Sequence, residues 1–203
     1  MTDSLKADSG SAGQFRHFVL HKPHGYLSQL INNQERRKNK RLLGELFDFP
    51  PGTMSIGRLD EKSEGLLLLT TNGKVSKLIS SNKFEKEYYV QVDGVIDQTA
   101  VDRLKVGVKI TVKKEPYVTT PCEARILKEI PSFLGESNHV RDDRHGPTSW
   151  ISVTLTEGKF RQVRKMTAAV GFPTLRLVRI RIGSTWLKGL QVGEVKEVDQ
   201  FKL

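Results

Sequence analysis

Asp60 stands between two cations, Arg58 and Lys62, in the stretch Gly57-Arg58-Leu59-Asp60-Glu61-Lys62-Ser63-Glu64-Gly65. Leu66-Leu67-Leu68-Leu69-Thr70-Thr71-Asn72-Gly73 follows at once. A carboxylate in that setting can act as a nucleophile, or as the partner of positive charge developing on a substrate, and a close cation favours its ionised form. Taken alone, the same nine residues also describe a surface loop with a solvated ion pair. Asp60 and Glu64 together suggest the carboxylate pair of a glycosidase, but a loop spacing leaves their separation in space open. Other chemistries find less support. His21 and His24 flank Pro23, which prevents a helical two-histidine metal face, and no Cys/His set has zinc spacing. There is no Walker loop, no dinucleotide glycine fingerprint after a strand, and no histidine that pairs in sequence terms with a serine nucleophile.

The formal net charge is +10 over 203 residues, with an isoelectric point near 9.7. That balance favours a polyanionic partner, nucleic acid ahead of an anionic membrane. A membrane role calls for a basic amphipathic terminal helix or a run of about 20 apolar residues; the chain has neither. Residues 1–13 lack the apolar segment of a signal peptide. One cysteine, Cys122, excludes an internal disulfide and fits a reducing compartment, so the expected location is cytoplasmic. The cations are unevenly spread. Lys159, Arg161, Arg164, Lys165, Arg176, Arg179, Arg181 and Lys188 face a single acid, Glu157, between residues 157 and 190. Such a surface repels itself unless an anion lies over it, and the arginine fork suits phosphate. Arg36, Arg37, Lys38, Lys40 and Arg41 form a second cluster, read as a solvated or an RNA-facing loop. Tyr26, Tyr88, Tyr89 and Phe160 lie near these cations, either as core rings or as platforms for an extruded base.

Something rigid must hold the carboxylate. Four leucines between Gly65 and Asn72-Gly73 are too short for an independent helix and read as a strand buried on both faces. Asp60 then lies in the loop that enters this strand. Residues 1–14 are too polar to order themselves and read as a flexible tail ahead of a globular unit, residues 15–203. A strand is expected at 17–20, followed by a turn at Pro23 and Gly25. Leu42, Leu43, Leu46 and Phe47 predict a short helix ending at Pro50-Pro51. Asn72 caps a helix at 73–81 that turns Val75, Leu78 and Ile79 inward. After a strand at 88–94, Asp97 caps a second helix, with Val101 and Leu104 inward and Gly107 as its stop. Residues 108–130 read as strands interrupted by Pro116 and Pro121, and 131–149 as a long polar loop. A strand at 150–156 precedes a third helix, about 159–170, with Phe160, Val163, Met166 or Thr167, and Val170 inward. An arginine-rich strand, 173–183, closes the pattern. The elements add up to a mixed α/β protein with no repeat and no evident linker.

Taken together, Lys22-Pro23-His24-Gly25-Tyr26-Leu27-Ser28, the Arg58-Leu59-Asp60 stretch with its leucines, Lys86-Glu87-Tyr88, and Glu157-Gly158-Lys159-Phe160-Arg161-Gln162-Val163-Arg164-Lys165-Met166 resemble the motif set of the RNA pseudouridine synthases. The branch is the one named for the small-subunit synthase A. Pro147-Thr148-Ser149-Trp150 and Gly171-Phe172-Pro173-Thr174-Leu175-Arg176-Leu177 are similar to its large-subunit members of type E, which lack an amino-terminal S4 RNA-binding domain. The same absence is expected here.

The resemblance implies a largely antiparallel mixed sheet in two lobes around a central cleft, without an S4 domain. It implies Asp60 as catalytic nucleophile, Tyr88 as the ring against the target base, and Arg164 as the cation that orients Asp60. Arg58, Lys22, Lys86, Arg161 and Lys159 follow as substrate-binding residues. The implied reaction isomerises one uridine of ribosomal RNA, most naturally 23S RNA of the large subunit, in a stem-loop. It breaks N1–C1′, turns the uracil, and joins C5 to C1′, so it needs no cofactor and no metal. The enzyme is expected to act as a monomer. The rival reading is a non-catalytic RNA-binding or ribosome-assembly protein, for which the charge alone suffices.

Overall fold

The computed structural model describes residues 15–31, 39–81, 83–135, 137, 139, 140 and 143–203. The expected tail at 1–14 and Arg36, Arg37 and Lys38 lie outside the described residues. In chain order the elements are β1 (His17–Lys22), β2 (Tyr26–Leu27), β3 (Arg41–Leu42), β4 (Met54–Ile56), β5 (Glu64–Thr70), α1 (Gly73–Ser80), β6 (Lys86–Asp93), α2 (Gln98–Val106), β7 (Lys109–Val112), β8 (Glu115–Val118), β9 (Glu123–Leu127), β10 (Thr148–Leu155), α3 (Gln162–Ala169), β11 (Thr174–Ile182), β12 (Thr185–Trp186) and β13 (Val195–Val198). Nine strands form one sheet in the order β13-β1-β5-β11-β6-β10-β9, with β4 also on β5 and β12 also on β11. Every pairing in it is antiparallel except one. β5 and β11 run parallel, with Val178 opposite Glu64 and Arg179 opposite Gly65.

The leucine run is β5, buried along its whole length. Alternation sends Leu66 and Leu68 to a core with Ile79, Val178 and Ile180, and Leu67 and Leu69 to one with Phe18, Leu20 and Leu43. A third cluster gathers α2, β6, β10 and α3 around Val90, Val101, Leu104, Ile151 and Met166. Asn72 caps α1 by accepting from the Lys74 and Val75 amides at 2.9 and 3.3 Å. Asp97 caps α2 through the Ala100 amide at 2.7 Å.

Several local expectations need correction. Leu42 is held beside Leu27 in β3, and Glu45 accepts from its amide at 2.7 Å, so only a 3₁₀ turn (Leu43–Glu45) forms before Pro50. Leu78 points into solvent, and only Ile79 of α1 is fully buried. Pro116 does not interrupt a strand. It lies within β8 opposite Thr111, and a two-stranded hairpin has only edge strands, where a missing N–H is tolerated. Phe160 precedes α3, which begins at Gln162, and is exposed. The segment 131–149 carries a 3₁₀ turn at Ser132–Leu134 and another at Asp143–His145, and its last two residues belong to β10.

The parallel pairing depends on a glycine. Gly65 has φ +102°, and a β-carbon there would lie 2.3 Å from the Arg179 carbonyl oxygen and 2.7 Å from its amide nitrogen. Gly65→Ala therefore either distorts the backbone or separates the two strands, costing roughly 2–3 kcal/mol or more. Gly73→Ala, at a helical position with open space around it, is neutral or slightly stabilising. Denaturant midpoints of the two variants provide the check.

Candidate active site

The loop entering β5 and the segment entering α3 meet across the β5–β11 seam. Between them lies a cavity of about 780 Å³ whose lining includes Asp60, Tyr88, Arg58, Lys159, Phe160 and Arg161. That volume falls within the roughly 300–1,000 Å³ of small-ligand pockets. Asp60 is partly accessible, its side chain 24% exposed, and Arg164 stands behind it at 11%. The Arg164 guanidinium donates to the Lys62 carbonyl at 2.9 Å and to Ser63 Oγ at 3.3 Å, while its Nε lies 3.9 Å from Asp60 Oδ2. That Nε is buried and has no hydrogen-bond partner among the described residues. A closure of roughly 1 Å would turn the contact into a charge-assisted hydrogen bond. Burial, and then the charge of Arg161, lower the Arg164 pKa from its ordinary value.

Tyr88 reaches the cavity from β6, where it stands opposite Val153 of β10 and Arg179 of β11. Its backbone is thus set by the middle of the sheet. Ser28 fastens the other wall, since its Oγ donates to the Leu59 carbonyl at 2.8 Å and accepts from the Leu59 amide at 3.0 Å. On the far side, Glu157 is buried and accepts from Tyr117 Oη, from the Thr120 amide at 2.9 Å and from Gln162 Nε2 at 2.5 Å. Gln162 Oε1 in turn accepts from the Lys159 amide at 2.9 Å.

A family model described as RNA pseudouridylate synthase matches residues 16–169. The chain belongs to the RNA pseudouridine synthases. It is 41% identical over 178 residues to the ribosomal large subunit pseudouridine synthase E of Xanthomonas campestris pv. campestris, covering 87% of this chain and 91% of that one. It is 30% identical over 185 residues to the ribosomal large subunit pseudouridine synthase B of Bacillus subtilis, covering 90% and 67%. A crystal structure of a pseudouridylate synthase superimposes with a TM-score of 0.71 at 28% identity, covering 91% of this chain and 70% of that one. The enzyme is therefore an isomerase that acts on RNA.

Within this synthase, the expected residues divide into two groups. Asp60, Tyr88, Arg58, Arg161 and Lys159 converge on one cavity, with Arg164 behind it. Lys22 and Lys86 do not. Lys22 is fully buried, and its Nζ donates to the Pro23, Glu61 and Ser63 carbonyls at 2.9, 3.3 and 2.7 Å, so it ties the Asp60 loop to β1 and is closed to substrate. Lys86 Nζ is spent on the Phe84 and Thr156 carbonyls at 3.0 and 2.8 Å. The arginines of β11 also turn inward, and Nη2 of Arg179 is buried without a hydrogen-bond partner among the described residues. Arg176 makes a two-point ion pair with Glu64, Arg179 donates to the Leu66 carbonyl, and Arg181 pairs with Glu85 and Glu87. From the second basic cluster, Lys40 pairs with Glu61, and Arg41 lies over the Tyr26 ring and beside Glu45. Ser28, Ser63 and Gln162 escaped the sequence reading because short polar side chains within a motif carry no charge or pattern of their own.

Burial lowers the Lys22 pKa to about 7 from 10.5, against the pull of Glu64, Asp60 and Glu61. Above pH 7 the unfolded chain then holds a proton that the folded chain has released. Stability from this group therefore rises with pH until the ordinary lysine value is reached. Relative to Lys22→Met, the wild type gains up to about 1.4 kcal/mol per pH unit above pH 7. Paired urea melts across that window measure it, and parallel pH profiles would contradict it.

Proposed function

We propose that this enzyme isomerises a uridine of large-subunit ribosomal RNA, with Asp60 as the catalytic nucleophile and Tyr88 as the surface that holds the uracil. The reading is carried by one observation: a carboxylate and an aromatic ring line the same cavity, with a buried guanidinium 3.9 Å behind the carboxylate. The names of the relatives support ribosomal RNA as substrate and the large subunit as its source. The two ends of the sheet act as lobes of one unit, and the target uridine enters between them, turned out of its stem-loop.

Breaking N1–C1′ leaves the sugar electron-poor and the uracil electron-rich. An ionised carboxylate can bond to C1′ directly or stabilise the charge there, and Arg164 holds Asp60 in place. The uracil turns while stacked on Tyr88, C5 bonds to C1′, and the C5 proton is lost while N1 gains one. The product has the same atoms as the substrate. Closing the cavity with RNA excludes water and keeps the detached base from diffusing away. Arg58, Lys159 and Arg161, exposed around the opening, hold phosphates, so binding weakens with salt.

Asp60→Asn keeps shape and loses charge. Its RNA affinity should stay close to wild type while pseudouridine formation falls by roughly 10⁴-fold or more, as loss of a nucleophile does. Turnover by a clean preparation of that variant would refute the assignment. Tyr88→Phe should retain activity if stacking is the ring's only task, whereas collapse of turnover assigns the hydroxyl to proton transfer. Pseudouridine mapping across total ribosomal RNA, with and without the gene, should show one site lost from the large subunit.

A further inference from the structure

Among the apolar residues lining the cavity, Phe160 alone is exposed, at 69%. The backbone beneath it is firmly held. Lys159 and Gln162 exchange two bonds, the Lys159 amide to Gln162 Oε1 and the Gln162 amide to the Lys159 carbonyl at 3.1 Å. Gln162 is locked in turn to the buried carboxylate of Glu157. Arg161 takes a left-handed conformation, φ +53°, which turns the chain sharply just after the ring. The ring itself is backed by a fixed cation. Lys165 Nζ lies 5.3 Å from its centroid and donates to the Thr111 carbonyl of β7 at 2.7 Å.

An exposed ring on a firmly held backbone, with Lys165 against it and Lys159 and Arg161 flanking it in the chain, is poorly suited to an apolar protein surface. It suits a flat, polarisable group attached to phosphate. We propose that Phe160 is a stacking platform for a second nucleobase, the strand neighbour of the uridine in the cavity, with Lys159 and Arg161 on the phosphates that join the two nucleotides. The proposal rests on the reading of the cavity as a uridine site. Stacking tolerates any base, so this contact would add affinity and hold the strand open without choosing its sequence. Glu157, through Gln162, is then a positioning residue for the platform.

The test is filter binding of an in vitro transcript of large-subunit ribosomal RNA over a series of salt concentrations. Phe160→Ala should weaken binding roughly 5- to 150-fold, the equivalent of one lost base stack. The slope of log affinity against log salt should stay that of wild type, because stacking releases no counterions. Phe160→Leu, which keeps bulk without a π-face, should lose affinity similarly, and Phe160→Trp should restore it. Lys159→Ala should instead flatten the slope. Wild-type binding by Phe160→Ala or Phe160→Leu overturns the proposal. So does a loss accompanied by a flattened slope, which would mean that the ring serves only to place Lys165. A wild type that binds the transcript yet makes no pseudouridine sinks the functional reading, while the comparison of ring variants still decides the stack.

Discussion

The parallel contact between β5 and β11 is the constraint on which the site depends. Gly65 lets the two backbones approach to a distance that no side chain allows. Next to it, Glu64 and Arg176 form a buried, two-point ion pair at 3.0 and 2.9 Å, and Arg179 donates to the Leu66 carbonyl across the same seam. Two charges buried together are weak evidence of net stability, yet removing either one leaves the other stranded, at roughly 3–5 kcal/mol. The pair therefore works as a register lock. The loop bearing Asp60 leads directly into β5, and α3, bearing Arg164, leads into β11. Fixing one strand against the other fixes the carboxylate against the guanidinium. Arg176 also donates to the Leu134 and Gly135 carbonyls, so the same lock holds the start of segment 131–149.

The cations in and around the site fall into two populations. Lys22, Arg176, Arg179 and Arg181 are spent inside, on carbonyls and on acids distant in the chain. Arg58, Lys159 and Arg161 stay in solvent around one opening. The second group is open to a polyanion, and its concentration at the cavity mouth favours attraction toward that opening. The inward arginines build the scaffold that keeps this rim in place.

Much of this arrangement was legible in the sequence. The leucine run read correctly as a strand buried on both faces because four apolar residues between turn signals leave few alternatives. Asn72 and Asp97 marked helix starts, since a side-chain oxygen ahead of an apolar period has a specific job. The charge cluster after Glu157 was visible, but its division was not. Arg176 and Arg181 find partners 112 and 94 or more residues away, and no local pattern announces such a pair. Lys22 was misread for the same reason, because a lysine beside a proline-glycine turn looks exposed until three carbonyls close around it. The β7–β8 hairpin turns at Lys113 and Lys114, both with positive φ, where the sequence offers no Asn-Gly or Asp-Gly signal. Phe160 read as a helical core position because the helix was expected to begin three residues earlier than it does.

With Asp60 as nucleophile and Tyr88 as platform, a uridine inside the cavity should lie with its uracil on Tyr88 and its sugar facing Asp60. A structure of the enzyme with a uridine-containing fragment of large-subunit ribosomal RNA measures this directly. The expected result is the uridine turned out of its helix, the ring stacked on Tyr88, and an Asp60 oxygen within roughly 3.5 Å of C1′ or of a uracil carbon. A uridine bound outside the cavity, or an Asp60 carboxylate turned away from it toward solvent, would contradict it.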